Sequence, residues 1–197
     1  MFLETICILD GIIGNALAHE ERVLQTATHF GFTAPGRFVR ELGRLLPPDL
    51  REGKVKCRVL YHETIEEITF ERYQPKRVKS LKLMEAFPDY RFKYADRQAL
   101  EALLQQKGEC DEILITRDGF ITDTSYSNVV LTQEGKLFTP ARPLLNGTKR
   151  RKLLQMGIIQ PKDIHRDSLG EYERVILINA MLDVEDDISL AVDRVHE

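Results

Sequence analysis

The sequence predicts an α+β protein made of two halves that meet around residues 84–93. Three observations predict it. Short runs of β-branched and aromatic residues recur between polar turns, amphipathic stretches of helical periodicity interrupt them, and a second series of both follows Phe87-Pro88. At 197 residues and 43% hydrophobic, the chain can bury a core in one domain or in two small ones sharing a cleft. The expected division is a smaller N-terminal α+β domain over residues 1–86 and a C-terminal α+β domain over residues 87–197.

Residues 3–9 read as a strand, and Asp10-Gly11 supplies the turn that reverses the chain into Ile12-Ile13. From 17 to 30 the pattern becomes helical. Val23, Leu24, Ala27 and Phe30 form an apolar stripe, and Gly31 stands where a helix stops. A second helix is expected near 35–46, ended by Pro47-Pro48. Residues 55–60, 67–73 and 78–84 are three more strands. A helix follows over about 96–106, then short strands at 113–115, 120–122, 129–131 and 137–138, with turns at Asp118-Gly119 and Glu134-Gly135. Gly147-Thr148 opens a further helix, and the apolar run 175–178 reads as a buried strand.

Charged residues make up 30% of the chain and leave a net charge of −3 with no long run of one sign, so nucleic acid is not an expected partner. No apolar stretch approaches the ~20 residues of a membrane span, and Met1-Phe2-Leu3-Glu4 lacks the basic and apolar regions of a secretion signal. A cytoplasmic protein without a membrane partner is expected. Cys7, Cys57 and Cys110 lie far apart and read as free thiols, and the scattered histidines give no metal-ligand spacing, so no metal is expected.

Three groups of residues carry chemistry. Lys93 lies in the aromatic-rich segment Tyr90-Arg91-Phe92-Lys93-Tyr94. Aromatic and cationic neighbours disfavour its charged form, which an amine that forms a Schiff base requires. Alone, it reads more readily as a surface lysine with a buried stem. Asp123 opens the hydroxyl-rich stretch Asp123-Thr124-Ser125-Tyr126-Ser127-Asn128 between two apolar strands. It could keep a ring nitrogen protonated, or simply build a turn. Gly147 and Thr148 stand at a helix start, where N–H groups and the dipole favour phosphate, although an ordinary N-cap has the same composition.

In order, Lys93, Thr122-Asp123-Thr124-Ser125-Tyr126-Ser127-Asn128, Leu137-Phe138-Thr139-Pro140 and Leu144-Leu145-Asn146-Gly147-Thr148-Lys149-Arg150 resemble the class IV aminotransferase family. Leu3-Glu4-Thr5-Ile6 and His19-Glu20-Glu21-Arg22-Val23 resemble its opening strand and its helix with a His-x-x-Arg signature. The resemblance implies the two-domain fold of the D-amino acid aminotransferase type. It implies pyridoxal 5′-phosphate (PLP) in the interdomain cleft, and a homodimer whose partner subunit helps close the site. It makes Lys93 the Schiff-base lysine, Asp123 the acidic partner of the pyridine nitrogen, and Gly147, Thr148 and Arg22 the phosphate ligands. Leu144 then packs on the ring, and Ser127, Asn128 and Asn179 line the cofactor. The family commonly has Glu-Gly where this chain has Asp123-Thr124, which implies a looser or water-bridged contact to the ring nitrogen.

Within the family, Lys93 followed by Asp96-Arg97, Asn146-Gly147-Thr148 and Asn179-Ala180-Met181 resemble segments of the 4-amino-4-deoxychorismate lyases. These convert their substrate to 4-aminobenzoate and pyruvate in folate biosynthesis, with the lysine as acid and base. An aminotransferase of branched-chain or D-amino acids would use the same residues. A non-catalytic relative acting as a binding partner is the reading from another class.

Overall fold

A computed structural model describes residues 1–197, which form two compact units. The first comprises Met1–Gln74 and Phe92–Asp96, the second Pro75–Arg91 and Arg97–Glu197. No helix is long and apolar enough to cross a membrane.

In the first unit, β1 (Phe2–Leu9), β2 (Ile12–Ile13), β3 (Lys54–Tyr61) and β4 (Ile65–Arg72) form an antiparallel sheet in the order β2-β1-β3-β4. Asp10 and Gly11 take φ of 49° and 77°, the left-handed pair that a two-residue hairpin of matching twist requires. Phe2, Ile6 and Ile8 of β1 meet Val55, Cys57 and Val59 of β3 and Val23 of α1 (Ala16–Phe30) in the core. Each such side chain, fully buried, stabilises by about 1.5–3 kcal/mol. Helix α1 ends at Gly31, as expected.

The apolar stripe expected on α1 is only half right. Val23 and Ala27 are buried, but Leu24 is 60% and Phe30 44% exposed, and His19, Arg22 and Thr26 take the inward positions. The physical reason lies on β1, where Glu4 shares the core-facing parity of Phe2, Ile6 and Ile8 and draws a cation and an imidazole inward to meet it. The helix expected over 35–46 is reduced to a 3₁₀ turn, Val39–Glu41, and the single turn α2 (Leu42–Leu45). Gly36 adopts φ of 81°, which a right-handed helix cannot contain, and Pro47 restricts the residue before it to extended backbone.

The second unit holds β5 (Leu81–Glu85), β6 (Glu112–Arg117), β7 (Phe120–Thr124), β8 (Asn128–Gln133), β9 (Lys136–Pro140), β10 (Gln160–Lys162), β11 (Arg174–Ile178), β12 (Ser189–Ala191) and β13 (Val195–His196). One path runs β10-β9-β8-β7-β6-β5-β13, and β11 pairs with β8 and β12 beside it. Ile113, Leu114 and Ile115, Val129, Val130 and Leu131, and Val175, Leu177 and Ile178 are all fully buried, which explains their unbroken apolar runs. Helices α3 (Gln98–Leu104) and α4 (Thr148–Gln155) complete the unit, with Leu153 of α4 packed on Val130, Ile159, Ile176 and Ile178.

This division differs from the boundary expected between residues 86 and 87. The strand expected at 78–84 is β5, which pairs in parallel with β6 and so belongs to the second sheet. Residues 92–96 belong to the first unit, because Leu3 N–H donates to Lys93 O (2.9 Å) and Ala95 N–H to Met1 O (3.2 Å). They cover the near end of the β1 edge whose far end is covered by β2.

Candidate active site

Two groups of functional side chains result, one in each unit. In the first, Lys93 sits at the centre of a three-residue turn closed by Tyr94 N–H donating to Phe92 O (2.9 Å). The rings on either side are held. Phe92 stacks on His29 at 4.5 Å and meets Phe30 edge-on at 4.9 Å, while Tyr94 lies 5.7 Å from Phe2 and 6.2 Å from Phe30. Such aromatic pairs add about 0.5–1.5 kcal/mol each beyond area burial, so the backbone on both sides of half-buried Lys93 is fixed.

Arg22 is in the same unit, buried against Glu4 rather than displayed on the helix surface. Its Nε donates to Glu4 Oε1 (2.7 Å) and its Nη2 to Oε2 (2.5 Å), and His19 Nδ1 stands 2.6 Å from Oε2. Burial alone would raise the Glu4 carboxyl, but the Arg22 charge and the hydrogen bonds from His19 and Arg22 outweigh it and hold it down at about 2. Burial pushes His19 below the ordinary histidine range, against the opposing bond and charge of Glu4, and the charges of Arg22 and Lys93 push the same way. His19 is therefore neutral at pH 7, with its Nδ1–H donated to an ionised Glu4. Sequence reasoning assigned no role to Glu4. The signal was its parity, since it alternates with Phe2, Ile6 and Ile8 on a strand whose core face is otherwise apolar.

The second unit gathers Asp123, Asn128, Gly147 and Thr148. Asp123, at the end of β7, stands opposite Asn128, the first residue of β8. Asn128 Nδ2 donates to Asp123 Oδ1 (2.7 Å) and to Leu145 O (2.8 Å), and Leu145 N–H donates to Asp123 Oδ2 (2.9 Å). A Cβ at Gly147 would collide with Asn128 Oδ1, so only glycine lets the start of α4 approach this closely. No side chain caps that helix start, and buried Thr148 is its first residue. Buried Leu144 belongs to the same loop. Asn179 Nδ2 donates to Ser127 Oγ (2.8 Å), and its Oδ1 accepts from the Met181 and Leu182 N–H groups.

Asp123 is 5% exposed, and burial pushes its carboxyl up to about 6. The Leu145 N–H, the Asn128 amide, the charge of Arg150 and the Leu144 N–H oppose the rise without cancelling it. Sequence reasoning assigned no role of its own to Arg150. It is buried, and its guanidinium donates to Pro140 O (2.8 Å), Asn146 Oδ1 (3.0 Å) and Thr139 Oγ1 (3.3 Å), stapling α4 to the end of β9. Its helical spacing of two from Thr148 and three from Gly147 gave no hint of this.

A family model described as amino-transferase class IV matches residues 1–185. An uncharacterised protein of Haemophilus influenzae is 34% identical over 180 residues, which are 90% of this chain and 96% of that protein. A Schizosaccharomyces pombe protein provisionally named an aminodeoxychorismate lyase is 25% identical over 88% of this chain and 83% of its own length. The crystal structure of a Haemophilus somnus protein provisionally named a 4-amino-4-deoxychorismate lyase superposes with a TM-score of 0.82. It is 34% identical and covers 91% of this chain and 95% of that one.

Proposed function

The chain belongs to the class IV aminotransferase family of PLP-dependent enzymes, and on that premise we propose that it is a lyase acting on 4-amino-4-deoxychorismate. The observation that carries the cofactor reading is the buried Asp123 carboxylate. Its donors, the Leu145 and Leu144 N–H groups and the Asn128 amide, are all dipolar, and no cation bonds either oxygen directly. A protonated pyridine nitrogen would supply the missing positive charge. The uncapped α4 start, approachable because residue 147 lacks a side chain, fits a phosphate equally well. The choice of lyase over transaminase rests on the resemblance to one Haemophilus somnus and one Schizosaccharomyces pombe protein, each provisionally named a lyase of this kind.

When bound, PLP supplies an electron sink for the carbon next to the substrate nitrogen. The residues of the chain do the rest. Lys93 would anchor the cofactor covalently through Nζ and, once displaced by the substrate amine, remove the proton on the adjacent carbon and deliver it to the departing enolpyruvyl group, which leaves as pyruvate while the ring becomes aromatic. Asp123 would hold the proton at the ring nitrogen, with Asn128 fixing the carboxylate. Gly147, Thr148 and Arg22 would bind the phosphate, with Glu4 setting the plane of the guanidinium. Leu144 would pack on the ring, and Ser127 and Asn179 would line the pocket. A homodimer is part of the proposal, and a sizing measurement that returned a single chain mass would count against it.

The test is the absorption spectrum of purified protein with PLP, for wild type and Lys93→Ala, together with 4-aminobenzoate fluorescence after aminodeoxychorismate is generated in situ. A visible band present in wild type and absent in the variant, with 4-aminobenzoate formed, is the expected result. A band that amino acids bleach without 4-aminobenzoate formation would make the protein a transaminase. No band in wild type would overturn the cofactor reading.

A further inference from the structure

The turn between β7 and β8, residues 124–127, is hydrogen-bonded within itself. Thr124 N–H donates to Ser127 O (2.9 Å), and Thr124 Oγ1 accepts from the N–H groups of Ser127 (3.0 Å) and Tyr126 (3.3 Å). A turn closed in this way moves as one body with the residues at its two ends, Asp123 and Asn128, which face each other in register. The central peptide groups of Ser125 leave the turn instead. Ser125 N–H donates to Glu112 Oε1 (3.3 Å), which also accepts from Ile113 N–H (2.9 Å), and Ser125 O accepts from Arg97 Nη2 (2.6 Å).

A single residue is thus gripped by two ionic side chains of opposite sign, from the start of β6 and from the start of α3. The grip is costly. Glu112 is 1% exposed, and its Oε2 has no hydrogen bond, with Lys76 Nζ 3.9 Å away as its nearest cation. The Nε of Arg97 is also buried without a partner. Neutral side chains could tie down a turn without leaving charged groups undersatisfied, so this arrangement asks for a reason beyond holding the chain together.

We propose that Arg97 and Glu112 are positioning residues that hold the Ser125 backbone from both sides and so set the direction in which Asp123 presents its carboxylate to the cofactor. The inference rests on the PLP reading above. Neither residue touches the Asp123 side chain, and both act through the turn. Loss of either grip lets the turn tilt about Thr124 and Ser127, and the carboxylate swings away from the line on which it meets the ring nitrogen.

The experiment compares wild type with Arg97→Met, Arg97→Lys and Glu112→Gln, the last of which keeps an oxygen for both amides. In protein without cofactor, amide hydrogen exchange at Ser125 is followed by NMR beside that of Leu131. In protein loaded with PLP carrying ¹⁵N in its ring, the nitrogen shift reports the protonated fraction. Expected in Glu112→Gln and Arg97→Met is Ser125 exchange faster by about tenfold with Leu131 unchanged, as for one bond stripped of its charge or lost, and in Arg97→Met a smaller protonated fraction that Arg97→Lys restores, with the same decrease in Glu112→Gln. Wild-type exchange in both variants would overturn the proposal, and so would faster exchange with the ring nitrogen as protonated as in wild type. A wild type that takes up no PLP overturns the cofactor reading and this inference together. A wild type that takes it up while the variants match it overturns this inference alone.

Discussion

Replacing Asp123 by Asn should remove one identifiable component of the pH dependence of folding. In the folded protein burial raises the Asp123 carboxyl from its ordinary 3.8 to about 6. A group whose folded pKa is raised contributes stability that is complete below the unfolded value and is lost as pH rises through the folded one. At about 1.4 kcal/mol per tenfold change in proton affinity, the loss is about 3 kcal/mol in all, of which about 2 kcal/mol falls between pH 4.5 and 8. Asn cannot titrate, so the change in its hydrogen bonds to Asn128 and Leu145 shifts stability by an amount independent of pH. Glu4 titrates in the opposite sense but is present in both proteins and cancels. Urea unfolding of both proteins without cofactor across that range is the assay. Wild-type stability should fall by about 2 kcal/mol relative to the variant as pH rises. Two curves that run parallel to within about 0.5 kcal/mol would refute the assignment of a strained, buried carboxylate.

Other substitutions test the remaining parts of the site. Glu4→Gln leaves Arg22 buried without its counter-charge and should destabilise by about 3–5 kcal/mol at pH 7 in a urea melt. Because Glu4 is held down at about 2 from its ordinary 4.5, that deficit should be complete above pH 4.5 and shrink as pH falls toward 2. Gly147→Ala forces Asn128 to move and should cost about 1–3 kcal/mol while weakening PLP uptake at least tenfold in a spectroscopic titration. Uptake equal to wild type would show that the close approach has no bearing on the cofactor. Leu131→Ala, in the fully buried middle of β8, should cost about 2–5 kcal/mol in the same melts without changing the spectrum of bound PLP.

Much of this was legible in the residues themselves. The hairpins at Asp10-Gly11, Asp118-Gly119 and Glu134-Gly135 were, because each needs two consecutive left-handed residues and few dipeptides supply them. So were β6, β8 and β11, whose burial on both faces writes itself as unbroken apolar runs, whereas β10, β12 and β13, two or three residues each and partly exposed, were not. The extent of α2 was not, because a periodic apolar pattern says nothing about Gly36 swinging to positive φ. Nor was the face of α1, where the inward positions hold His19 and Arg22 and are set by a strand residue distant in sequence. In the site, Asp123 and Gly147 stood out in local composition, and Asn128 through the family resemblance. That Asn128 joins the other two through one amide depended on β8 returning beside the loop before α4. Glu112 drew no role and Arg97 only a place in a family-like segment, because their shared partner is a backbone peptide, which no side-chain pattern records.

The first unit is not continuous in the chain, since the segment around Lys93 reaches it only after residues 75–91 have joined the other. During synthesis, which delivers the N-terminal part first, the β1 edge at Met1 and Leu3 stays open until residue 95 has left the ribosome. A fragment cut after Gln74 would expose that edge and the Phe2 ring to any extended peptide able to pair with it. The same lysine-bearing stretch that would carry the chemistry therefore also acts as the closing seam of the N-terminal sheet, and a nascent chain stalled short of it is the species most exposed to aggregation.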